Sequence, residues 1–70
     1  PVNDQFTIAL DNFQDVQSIS LWDIQGKVVM HHTKPNTPRL EINRDGLQSG
    51  VYFLDIMTEG RHNVYKLIME

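Results

Sequence analysis

Apolar residues in this chain recur at every second position in short runs, and each run stops at a cluster of turn-forming residues. Such alternation places successive side chains on opposite faces of an extended strand, whereas a helix needs spacings of three and four. No stretch shows the helical spacing. Gln5 to Leu10 predicts a first strand with Phe6, Ile8 and Leu10 on one face and Thr7 and Ala9 on the other, then a turn at Asp11-Asn12. Gln17 to Ile24 predicts a second strand, with Ile19 and Leu21 facing one way and Ser18, Ser20 and Trp22 the other. Lys27 to His31 predicts a third strand carrying Val28, Val29 and Met30. The polar run Thr33 to Pro38, with prolines at 35 and 38, predicts a loop or an edge crossing.

Arg39 to Asn43 alternates again around Leu40 and Ile42 and is ended by Arg44-Asp45-Gly46. Val51 to Thr58 follows, with Tyr52, Leu54 and Ile56 on one face. Glu59-Gly60 marks the next turn, and Asn63 to Met69 closes the chain. About six strands at this turn spacing predict an all-β fold, a small antiparallel sandwich. Between the second and third strands, the Asp23 side chain is placed to accept a hydrogen bond from a backbone N–H two residues on, and Gly26 supplies a positive φ without a Cβ clash. That segment reads as a hairpin connection.

Seventy residues leave room for one small domain whose folded surface scales to roughly 4,500 Å², with about three-fifths of the open chain's surface buried. A large enzyme with separate cofactor and substrate domains is excluded. Six Lys plus Arg against nine Asp plus Glu give a net charge of −3, which provides no electrostatic basis for binding nucleic acid or lying on anionic lipid. The apolar runs are too short and interrupted for direct membrane insertion. Without cysteine, disulfides and thiolate metal sites are impossible. The chain opens Pro1-Val2-Asn3-Asp4 with no initiator Met and no leader, and it reads as a piece of a longer protein.

Candidate chemistry is sparse. His31 and His32 are adjacent, so on a strand they point to opposite faces and cannot grip one metal together, and His62 is distant in sequence. The aspartates at 4, 11, 15, 23, 45 and 55 sit mostly where turns want them. Ser18, Ser20 and Ser49 occupy no nucleophile elbow, and no glycine-rich phosphate loop exists. The sequence therefore predicts no catalytic residue, no metal and no cofactor.

Several blocks together resemble one family. Pro1-Val2-Asn3-Asp4 is similar to the end of a Tyr-Pro-Asn-Pro start, and Ile19 to Val29 resembles an aromatic-Asp-x-x-Gly-Lys-x-Val hairpin through Trp22, Asp23, Gly26 and Lys27. Leu47-Gln48-Ser49-Gly50-Val51-Tyr52 resembles a Leu-x-x-Gly-Val-Tyr strand, and Lys66-Leu67-Ile68 a closing Lys-apolar-apolar. In this order, over nearly the whole chain, the blocks resemble the C-terminal sorting domain of type IX secretion cargo, the Por secretion tail of Bacteroidota. Two departures are the missing Asn before Pro1 and the ending Met69-Glu70, where many relatives finish basic or neutral polar.

The resemblance implies an immunoglobulin-like β-sandwich that directs its cargo through the type IX outer-membrane machinery. It implies a translocon, a shuttle protein and a surface sortase as partners, with passage through the periplasm to the outer membrane, the cell surface or the medium. It also makes Lys66, Leu67, Ile68, Met69 and Glu70 the candidate recognition segment. Asp23, Gly26, Lys27, Leu47, Gly50 and Tyr52 are mainly structural by their residue types, since turn glycines serve backbone geometry and Tyr52 alternates with core positions.

Alternation adds two expectations of its own. Lys66 shares a face with Val64 and Ile68 without a packing reason, which predicts either snorkelling to solvent or a pair with an acid such as Asp55. Trp22, Ile24, Val51 and Phe53 fall on a face where a sandwich strand shows polar residues, so they predict an interface patch unless the Thr33 to Pro38 loop folds over it. An exposed last strand and this patch predict a weak or strand-swapped homodimer. An immunoglobulin-like adhesion or glycan-binding module, or a structural spacer, are the alternatives.

Overall fold

A computed structural model describes residues 5–43 and 46–70. The Pro1 to Asp4 block and the Arg44-Asp45 part of one turn lie outside the described residues. Six strands run in the order β1 (Gln5–Ala9), β2 (Val16–Asp23), β3 (Val28–Thr33), β4 (Arg39–Asn43), β5 (Gly50–Thr58) and β6 (Arg61–Met69). A single 3₁₀ turn, Phe13–Asp15, links β1 to β2. Every pairing is antiparallel.

The strands form two layers, a four-stranded sheet in the order β3-β2-β5-β6 and a two-stranded ribbon of β1 with β4. Both layers turn their alternating apolar positions inward. Ile19 and Leu21 of β2 are completely buried, joined by Ile8, Leu10, Val16, Ile42, Tyr52, Leu54 and Met69, while Phe6, Leu40, Ile56 and Leu67 pack at the margin. This is the small antiparallel sandwich that the alternation predicts. It is a thin slab, 34 × 28 × 15 Å. Its exposed surface of 5,240 Å² exceeds the size-scaled expectation because a two-stranded layer cannot cover a four-stranded one.

Boundaries differ from the alternation in informative ways. β3 runs on to Thr33, where the sequence reading stopped at His31, because pairing with Ser18 and Ile19 continues through Thr33 and His32. β6 starts at Arg61 rather than Asn63, since the hairpin needs only Glu59 and Gly60 to turn. Ile24 lies beyond the end of β2, in the turn, so it does not share a strand face with Trp22. The loop after β3 does not cover Trp22. Lys34 donates its N–H to the Gln17 carbonyl at 2.9 Å and the Pro38 carbonyl accepts from Leu10 N–H at 2.8 Å, which carries the loop across to the ribbon. Pro38 thus extends the β1–β4 ladder through its carbonyl alone, the one ladder group a proline retains.

Candidate recognition site

The β2–β3 hairpin is closed by one side chain. Asp23 Oδ1 accepts the backbone N–H of Gln25 and of Lys27, each at 2.9 Å, and Gly26 N–H donates to the Asp23 carbonyl at 3.0 Å. Gly26 has a φ of +87°, the left-handed region that a β-branched residue avoids. Of Lys27, it is the backbone that enters this turn, its N–H donating to Asp23 Oδ1 and its carbonyl accepting from Asp23 N–H at 2.9 Å, while its side chain is exposed.

The second hairpin block packs beside the first. Tyr52 is buried in the core, and its hydroxyl donates to the Gln48 carbonyl at 2.8 Å, four residues upstream. This is the tyrosine corner of immunoglobulin-like sandwiches, which pins the incoming loop to the strand that follows. Asp23, Ile24, Lys27, Leu47, Gly50 and Tyr52 line one open cleft of about 380 Å³ at this end of the sheet. Residues more than twenty positions apart in sequence therefore meet at one pole. Gly50 also pairs with Met69, so the end of the chain reaches the same pole.

On the outer face of the four-stranded sheet the side chains fall into cross-strand rows. Val28, Trp22, Phe53 and Lys66 form one row, and Val51 stands beside Ile68 in the next. Trp22 is 40% exposed and Ile68 64%. The apolar patch is thus open to solvent, with Ile24 in the adjoining turn. Towards the opposite end the face becomes mixed, with His31, Ser20, Asp55 and Val64 in one row and Thr33, Ser18, Met57 and His62 in the next.

Two polar contacts on this face were not legible in the sequence. The Ser20 hydroxyl and His31 Nδ1 share a hydrogen bond of 2.7 Å, and His62 Nδ1 lies 2.9 Å from Asp55 Oδ2. Both are cross-sheet contacts set by strand register, so no local spacing announces them. The second one decides between the two expectations for Lys66, because the Asp55 carboxylate is engaged by His62 and the Lys66 side chain is exposed to solvent. Lys66 stands opposite Phe53 and makes no ion pair among the described residues. Ser20 lies between His31 and Asp55, whereas a Ser-His-Asp relay needs the imidazole in the middle, so the trio cannot work as a triad. His31 and His32 point to opposite faces, and among the described residues no three His, Asp or Glu side chains gather where they could hold a metal ion.

The closing segment divides by face. Met69 is buried and Leu67 half-buried against the core, while Lys66, Ile68 and Glu70 are exposed. Glu59 and Gly60 both have positive φ, 51° and 78°, as in a tight two-residue hairpin whose flanking residues, Thr58 and Arg61, exchange both backbone hydrogen bonds. Stepping by two from that pair, residues 63, 65, 67 and 69 bond to β5. The N–H and C=O groups of His62, Val64, Lys66 and Ile68 then point out of the sheet edge. Among the described residues no strand pairs with them.

A family model described as "Secretion system C-terminal sorting domain" matches residues 1–70, the whole chain. No curated protein matches it.

Proposed function

The chain belongs to this family of secretion system C-terminal sorting domains, and from that premise we propose that its last strand is the element handed to the type IX machinery, after which a surface sortase cuts the domain from its cargo. As a type IX sorting signal it marks cargo for export across the outer membrane, to the surface or the surroundings. The family is one of signals rather than enzymes. Within the proposal, the translocon and a shuttle protein meet the domain in the periplasm, and the exposed members of the closing segment, Lys66, Ile68 and Glu70, are the residues read.

The single observation that supports this choice is that β6 forms one edge of the sheet with an unpaired backbone row and solvent-facing side chains. A terminal edge strand of that kind can join a partner's sheet. Asp23, Gly26 and Tyr52 serve the reading as scaffold through their turn and corner hydrogen bonds, and Leu47 by packing against the core, at the pole where β6 ends.

The test is export of an inert reporter. Residues 1–70 joined to its C-terminus in a type IX secretor should carry it to the surface and be cleaved off. Retention of the intact fusion inside the cell, with the domain folded, would sink the proposal and favour an adhesion module or a spacer. Export without cleavage would remove only the sortase step.

A further inference from the structure

β6 differs in charge from the rest of the molecule. Between Arg61 and Met69 it carries two bases, Arg61 and Lys66, and no acid, in a chain whose net charge is −3. Its outward backbone groups belong to the same residues whose side chains lie on the outer face, His62, Val64, Lys66 and Ile68. A strand laid along this edge would extend four cross-strand rows by one residue each, beyond His62, Val64, Lys66 and Ile68, with Lys66 set between Val64 and Ile68. The neighbour of Lys66 is favourable if acidic and unfavourable if basic, and Val64 and Ile68, 58% and 64% exposed, gain from apolar neighbours.

Lysine on an edge strand can also serve only to discourage pairing. A lone lysine is a selective guard. In the register centred on residue 66, a second copy of β6 brings another lysine to meet it. A strand with a carboxylate at that position is admitted.

We infer that β6 takes up an extended segment of another protein as an added strand. The segment's backbone bonds to His62, Val64, Lys66 and Ile68, and its outer-face side chains run apolar, acidic, apolar. The inference deepens the reading of β6 as the recognition strand and rests on that reading for the identity of the partner as part of the export machinery. The pairing chemistry stands on the edge itself.

The probe is a synthetic nine-residue peptide of alternating valine and threonine with glutamate at the central outer-face position, titrated into the ¹⁵N-labelled chain. Amide signals of residues 62, 64, 66 and 68 should shift more than those of 63, 65 and 67. Lysine in place of the glutamate should weaken binding about fivefold, and Lys66→Gln should erase that preference. Lys66→Pro removes an outward N–H without touching the β5 ladder, so it should melt within about 5 °C of the parent and bind at least about tenfold more weakly. A peptide N-methylated on its pairing edge leaves the protein untouched and should likewise fail, which keeps the test decisive if the proline variant unfolds. Absent shifts, shifts confined to the Asp23–Tyr52 cleft, or a β6-mediated dimer that shuts the peptide out would each overturn the inference. Export serves as the separate readout. A chain that takes the peptide yet exports nothing overturns the sorting proposal alone, and one that exports cargo but never takes the peptide overturns this inference alone.

Discussion

The two hairpins that end the four-stranded sheet each place one strand at an edge, and they leave those edges in opposite conditions. β3 follows a turn cross-braced by the Asp23 carboxylate. It has six residues, pairs with β2 through a bulge at Leu21/Trp22, has His31 tied to Ser20, and runs into Lys34 at positive φ and Pro35. β6 follows a two-residue turn and keeps nine pairs with β5 in unbroken register, with no proline and no bulge. A bulge twists a strand out of line for further pairing, and a short strand offers few backbone groups to add to. The same sheet is therefore closed on one side and open on the other. What separates the two is ladder regularity more than hydrophobicity, since exposed apolar residues flank both, Val28 on β3 and Val64 and Ile68 on β6.

The sharpest way to break this comparison is inside β6, because the strand is both edge and core. Met69→Ala should destabilise by about 2 to 5 kcal/mol, as buried methionine truncations do. A 70-residue domain holds roughly 3.5 to 10 kcal/mol in all, so export would fall through unfolding. Ile68→Ser, one residue earlier and facing out, should change the unfolding free energy by no more than about 0.5 kcal/mol. If the open edge is what is read, Ile68→Ser lowers export from a folded domain. Equal stability losses at the two positions, measured by urea titration followed by circular dichroism, would show that the strand has no free face. The same division means that deleting Lys66 to Glu70 removes core as well as the proposed recognition segment, and its effect on export is interpretable only beside a folding measurement.

The closed side is probed by its turn. Gly26→Val should cost more than about 1 kcal/mol through backbone strain, since no atom lies within 4 Å of where a Cβ would stand. Export across Gly26 variants should then track melting temperature. Export that drops out of proportion to melting would place recognition at the β2–β3 hairpin.

Lys27→Gln carries the smallest expected effect. Its side chain is exposed, so stability should stay within about 0.5 kcal/mol and export should be unchanged. A normal melting curve combined with blocked export would reverse the comparison and make the braced hairpin the surface that the machinery reads.

Much of the candidate site was legible before any coordinates. The Asp23 to Lys27 turn follows from residue chemistry, because an aspartate reaching backbone N–H groups ahead of it and a glycine at positive φ are local requirements. The placement of Trp22 and half-buried Phe53 on the outer face followed from counting by twos, although Ile24 escaped that count by leaving the strand for the turn. The Lys66 environment was not legible. Its freedom from Asp55 depends on His62, brought to the carboxylate by a register that neither residue's neighbours encode.

By itself, the sequence determined that there would be about six strands, which side of β1, β2, β4 and β5 would be buried, and where the chain would turn, while the buried side of β3 and β6 came only with the structure. Alternation and turn chemistry act between residues a few positions apart, and their energies do not depend on the partner found. Strand order was decided only by the tertiary structure. Backbone N–H and C=O groups pair equally well with any strand in register, so the choice of β4 for β1, and of β3-β2-β5-β6 for the sheet, came from fitting all the apolar faces around Ile19 and Leu21 at once. That choice left β6 at the rim, gathered Asp23, Leu47, Gly50 and Tyr52 around one cleft, and set His62 rather than Lys66 against Asp55.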